Sequence, residues 1–204
     1  MDERQYLLKV RLMDIEPEIW RRFVVPGFIS LDRLHEVIQI IMGWRDYHLY
    51  EFEISGKKYV ENPESKEDGL VAGKYRLMDL IKAKGRSFQY IYDFGDWWEH
   101  GIMVEDSRYA PVTEDVASQF FGRPSIECLG GARACPPEDV GSVSGYYEFC
   151  VAIKNPKHKE HRAMKEWISG LFPEGKGYDS EKFDLEAVNY ELFKYIRWSR
   201  PRHM

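Results

Sequence analysis

Tyr6, Leu8, Val10 and Leu12 are spaced two apart, with Leu7, Lys9 and Arg11 between them. That is the period of a strand with one buried face. A second strand is expected from Glu18 to Val25, set off by Pro17 and closed by Pro26-Gly27. The period then changes. Leu31, Leu34, Val37, Ile38, Ile41 and Met42 fall on one face of a helix that Ser30 would cap and Gly43 would stop. His48, Tyr50, Phe52 and Ile54 return to alternation, and Ser55-Gly56 turns the chain into Lys57-Lys58-Tyr59-Val60, a hairpin pattern.

The stretch 61–73 is polar, charged and glycine-containing, and reads as a mobile loop. A short helix over 77–83 and strands over 88–94 and 97–104 follow. A further helix is expected over 113–121, where acidic residues occupy the first turn. Helical spacing dominates the last third, over 145–153, 157–169 and from Asp184 through Val188, Leu192 and Tyr195. Strands early and helices late predict an α+β fold: a mostly antiparallel sheet of five to seven strands with helices mainly on one face. The expected organisation is a single domain over 1–204 with a basic tail at 197–204.

Composition narrows this picture. Apolar residues make up 44% of the 204 residues and aromatics 15%, enough for a core without disulfide staples. A net charge of -5 argues against binding to phosphate backbones by bulk electrostatics. Only the basic, aromatic C-terminal tail offers a nucleic-acid contact, and a solvated tail is the plainer reading. Three cysteines, an odd number, argue for a reducing compartment. The opening Met1-Asp2-Glu3-Arg4 lacks the apolar run of a signal peptide, and no stretch approaches the roughly 18 apolar residues of a membrane span. The expected location is cytoplasmic.

Two hairpin patterns carry candidate chemistry. In Tyr92-Asp93-Phe94-Gly95-Asp96-Trp97-Trp98-Glu99-His100 a two-residue turn at Gly95-Asp96 would pair Phe94 with Trp97. Asp93 and His100 would then be diagonal neighbours on one face, about 7 to 8 Å apart at the backbone. A carboxylate there could orient the imidazole as a base or a metal ligand; a polar pair at a sheet edge is the plainer alternative. Asp93, His100 and Asp96 are the catalytic candidates. Between Cys128 and Cys135, Gly130-Gly131 is a second possible turn, placing the two thiols diagonally on one face. They would suit a shared metal better than a disulfide, although two buried structural thiols explain them too.

Combined, His48, Asp93, His100, Cys128 and Cys135 form a candidate zinc set. In Pro136-Pro137-Glu138-Asp139 the acidic pair either caps the following helix or binds a cation. His158 and His161 would share a helical face, as metal-site or packing histidines.

The segments Pro17-Glu18-Ile19-Trp20-Arg21-Arg22, Tyr92 through His100, and Cys135-Pro136-Pro137-Glu138-Asp139-Val140-Gly141 together resemble the plasmid pRiA4b Orf-three-like family. The likeness runs from Tyr6 to Phe193. The family pattern has a second glycine where this chain has Ser142, and often a cysteine where it has Val140. The resemblance implies an α+β sheet with flanking helices and an association with insertion elements, as passenger proteins, but no established reaction. Two functions are left open: a non-enzymatic binding or accessory module with a protein or nucleic-acid partner, or a metal-dependent hydrolase or nuclease built around His100 and the Cys128/Cys135 pair.

Overall fold

The computed structural model describes residues 4–65, 67–110, 126–171 and 177–199. The helix expected over 113–121 and the end of the basic tail, 200–204, lie outside these residues.

Eight strands form one sheet: β1 Gln5–Leu12, β2 Trp20–Pro26, β3 Tyr50–Ile54, β4 Lys57–Val60, β5 Leu70–Val71, β6 Ser87–Tyr92, β7 Trp98–Tyr109 and β8 Glu127–Ala132, in the order β5-β4-β3-β6-β7-β1-β2-β8. Every pairing is antiparallel except β4 with β5. Tyr6, Leu8, Val10 and Leu12 of β1 are buried, while the residues between them are partly or fully exposed. That alternation shows which face meets the helices.

The helices are α1 Leu31–Met42, α2 Leu77–Leu80, α3 Ser142–Lys154, α4 His161–Leu171 and α5 Leu185–Ser199. The apolar face of α1 is buried as its spacing predicts, and Gly43 ends it in the left-handed region, its N–H donating to the Gln39 carbonyl. Ser30 stands at the cap position but its hydroxyl binds the Asp32 carboxylate, so it caps no backbone N–H. Ser55 and Gly56, both at positive φ, close β3 onto β4 with Ile54 opposite Lys57. The 61–73 segment contributes β5 and a 3-10 turn at Ala72–Lys74.

Both chemically interesting hairpins differ from expectation. Tyr92 pairs with Trp98, Ile91 with Glu99 and Tyr90 with His100, one residue out of the predicted register. A two-residue turn beginning with glycine requires positive φ at that glycine, and Gly95 is not among the positive-φ glycines. Instead Asp93 and Trp97 are the left-handed residues. The Trp97 N–H donates to the Asp93 carbonyl at 2.6 Å, and the Asp93 carboxylate accepts the Gly95 N–H at 2.8 Å, closing a five-residue connection. The one-residue slip turns His100 into the core.

Gly130 and Gly131 form no turn either: they continue β8, opposite Arg22 and Arg21 of β2. A Cβ on Gly131 would come within 2.7 Å of Arg21 Cδ, 2.8 Å of Phe183 and 2.8 Å of the Trp20 carbonyl oxygen. Glycine is required there by close approach, not by turn geometry.

That approach makes room for Arg21, which is 2% exposed. It donates to the carbonyls of Ile41, Trp20, Ala132 and Arg133, each at 2.8 Å, and lies 4.2 Å over the Phe183 ring. The fork of donors ties β2, the end of α1 and the exit of β8 together. Among the described residues no helix is long and apolar enough to cross a membrane.

Candidate metal centre

Three irregular segments meet beyond the ends of β6 and β7: the link from α1 to β3, the 93–97 connection, and the segment from β8 to α3. Trp44 anchors the meeting. Its ring stacks 5.0 Å from Tyr92 and meets His100 edge-on at 5.3 Å, and its indole N–H donates to the Pro136 carbonyl at 2.9 Å. The two prolines hold this segment extended, with fixed φ. Glu138 then accepts the Tyr92 hydroxyl at 2.6 Å and the Arg45 N–H at 3.2 Å. Burial, and then the hydrogen bond to Glu138, push the Tyr92 hydroxyl far above its ordinary range, so it remains a donor.

This framework brings His48, Asp93 and Asp139 together. His48 Nε2 lies 3.6 Å from Asp93 Oδ2 and 3.3 Å from Asp139 Oδ1. Among the described residues they are the one group of three metal-ligating side chains whose donor atoms all lie within 4.8 Å of one another. Nε2 is sealed from solvent and makes no hydrogen bond. Asp93 is 6% exposed, held by the Leu49 carbonyl through its N–H and by Gly95 through its side chain, whereas 70% of the Asp139 side chain is open to solvent. Both aspartates sit at φ 59, a left-handed conformation that aspartate tolerates better than most residues.

The separations fit one small cation. Nitrogen and oxygen ligands about 2.1 Å from a tetrahedral zinc lie roughly 3.4 Å from each other.

Supporting contacts fix Asp139 from its far side. The Asp96 carboxylate accepts the Gly141 N–H at 3.1 Å, linking the 93–97 connection to the start of α3. A Cβ on Gly145 would stand 2.2 Å from the Val140 carbonyl oxygen, so α3 packs directly on the backbone beside Asp139. Neither Glu138 nor Asp139 caps α3: its cap position is Gly141 and has no side-chain cap.

The remaining predicted ligands are elsewhere. His100 is fully buried between Tyr90 and Trp44, its Nδ1 donating to the Tyr90 carbonyl at 3.2 Å while Nε2 has no partner. Burial lowers its pKa to about 4, which keeps the ring neutral. Cys128 lies under α5, where Asn189 clamps its backbone on both sides, and its thiol contacts the Arg22 and Gly130 carbonyls. Cys135 lies against Met42 and Arg21, and burial pushes its thiol up to about 11. The expected zinc set is therefore corrected: among the described residues His100, Cys128 and Cys135 form no group of converging donor atoms, and each is packed into the core. His158 sits in a turn before α4 and takes the Glu160 N–H, while His161 binds the Ala152 carbonyl, so they share no helical face.

His48 and Asp93 stood together in the zinc set expected from the sequence, whereas Asp139 belonged to the separate Glu138-Asp139 acidic pair. Trp44 and Tyr92, which hold the three segments together, were missed as positioning residues. The available signal was Trp44 immediately after the helix-stopping Gly43.

The chain is 40% identical over 196 residues to the uncharacterised protein y4hQ of Sinorhizobium fredii, covering 95% of this chain and 93% of that one. Its fold is similar to the crystal structure of MM3350, a protein of unknown function from Methanosarcina mazei Go1, with a TM-score of 0.73 at 34% identity over 91% of this chain and 98% of that one. The family model described as plasmid pRiA4b ORF-3-like protein matches residues 4–187, and the chain belongs to that family.

Proposed function

We propose that the protein binds one divalent transition-metal ion, zinc in the first instance, through His48, Asp93 and Asp139. The observation that carries this reading is the sealed, unbonded His48 Nε2 aimed at two carboxylates at metal-ligand spacing. An imidazole and two carboxylates suit zinc better than a thiolate-selecting ion. Three protein ligands leave a coordination position for water or for a partner's donor atom.

The exposure of Asp139 favours a hydrolytic role for that position. Asp139 also lines a groove of about 860 Å³ along α3 and α4, so a substrate lying there would reach the ion from its open side. The ion would polarise its bound water, and Tyr92 and Glu138 would keep the segment bearing Asp139 in place. An accessory role in which the ion only orders these segments around a partner uses the same residues.

Protein purified without an affinity tag or chelator is expected to carry, or to take up on titration, one zinc per chain. His48→Ala and Asp139→Asn should each weaken that binding by at least about tenfold. Absence of stoichiometric binding, or binding by both variants as tight as that of the wild type, would refute the metal reading. Metal binding with no turnover of ester or phosphodiester probes would refute only the hydrolytic part.

A further inference from the structure

On the other side of the 46–50 segment lies a smaller cavity of about 280 Å³, and its character is acidic. Asp32, Glu36, Asp46 and Glu61 line it with His35 and Tyr50, and among the described residues its lining includes no lysine or arginine. Tyr50 is 3% exposed, and its hydroxyl is buried without a hydrogen-bond partner. Leaving a buried hydroxyl unmatched is unfavourable, so the atom calls for a polar occupant.

The other groups are largely accounted for. His35 Nε2 donates to Asp46 at 2.7 Å and Nδ1 meets the Tyr90 hydroxyl at 2.8 Å, which in turn accepts from Gln39 at 2.9 Å. With a neutral ring, every atom in that chain is matched when the proton sits on Nε2. The His35 ring stacks 3.7 Å from Tyr50 and fixes the phenol. Glu36 faces Arg33 and the Tyr195 hydroxyl, and Asp32 takes Ser30 and the Arg33 N–H. Glu61 is exposed at the mouth. The phenol's ionisation is opposed first by burial, then by the negative charges of Asp32, Glu61, Asp46 and Glu36, which places these carboxylates around it.

We propose that this cavity binds a small organic cation bearing a primary ammonium group, donating to the Tyr50 hydroxyl oxygen and to the carboxylates of Asp32 and Glu61. A bare metal ion fits less well, since these carboxylates are not among the groups whose donor atoms converge within 4.8 Å. An ammonium offers three N–H donors that reach separated acceptors. At about 30 Å³ per water-sized group, the cavity has room for an attached chain of several atoms.

The test uses cadaverine, with 1,5-pentanediol as its uncharged analogue, titrated into the full chain and followed calorimetrically. Expected is saturable one-to-one binding of cadaverine with none of the diol. Tyr50→Phe, which removes one oxygen, should weaken it about tenfold, and Glu61→Gln, a surface change that spares the core, about three- to fivefold. Failure of cadaverine to saturate at about 1 mM, equal binding of the diol, or equal affinity in wild type and both folded variants would overturn the proposal. So would stoichiometric displacement of cadaverine by magnesium, which would make the cavity a metal site.

Discussion

His100 offers a direct test of the corrected register. In the predicted pairing it would stand beside Asp93, and a carboxylate neighbour would hold its pKa at or above the ordinary value. In the structure it is sealed inside the sheet with a pKa of about 4, against about 6.5 in an unfolded chain. The unfolded state therefore binds the proton more tightly, so stability is unaffected well above pH 6.5 and falls as pH drops from 6.5 toward 4. For these two pKa values the loss is about 2 kcal/mol between pH 7 and pH 5 and about 3 kcal/mol by pH 4. The comparison is with His100→Gln, which has no proton to gain at this position, so the other histidines cancel. Urea unfolding curves at successive pH values should diverge by that amount, wild type losing stability faster. The imidazole resonances of His100 should show no titration above about pH 5. Parallel stability curves, or a His100 midpoint near or above 6.5, would refute both the burial and the register.

Two further predictions test the framework around the candidate centre. Arg21→Lys should destabilise the protein by about 3 kcal/mol, because one ammonium cannot reach the four carbonyls that the guanidinium fork satisfies; a shift of less than about 0.5 kcal/mol in urea unfolding would show that those bonds carry little. At pH 8 a maleimide should label Cys128 and Cys135 no faster than the protein unfolds, since burial raises both thiols and that of Cys135 to about 11. Labelling of either within mixing time would show that it is accessible, as an open metal ligand would be.

Regular elements were legible because their side chains repeat. The strand at Tyr6–Leu12 and the buried face of α1 follow from spacing alone, and Ser55-Gly56 provides the positive φ that its hairpin needs. The two misread hairpins share a cause: glycine was taken as turn chemistry where its other uses applied. At Gly95 the turn belongs to Asp93, whose side chain captures the glycine N–H. At Gly131 the missing side chain makes room for Arg21 and Phe183, which are 110 residues earlier and 52 later in the chain. No local pattern encodes such an approach.

The candidate centre was only partly legible, for a related reason. In the structure His48, Asp93 and Asp139 all stand outside the strands and helices, so the alternation that lined His48 up with Tyr50 and the turn that set Asp93 beside His100 did not say where those side chains point. Their convergence depends on long-range contacts: Trp44 to Pro136, Tyr92 to Glu138, and Asp96 to Gly141. The last two of these contacts join the motif segments Tyr92–His100 and Cys135–Gly141 that carried the family resemblance, and the first ties Trp44 to the second of them. The aromatic and proline positions in those motifs build the platform, and the aspartates use it. That division explains why the expected zinc set held His48 and Asp93, which the platform presents, beside His100, Cys128 and Cys135, which are packed in the core.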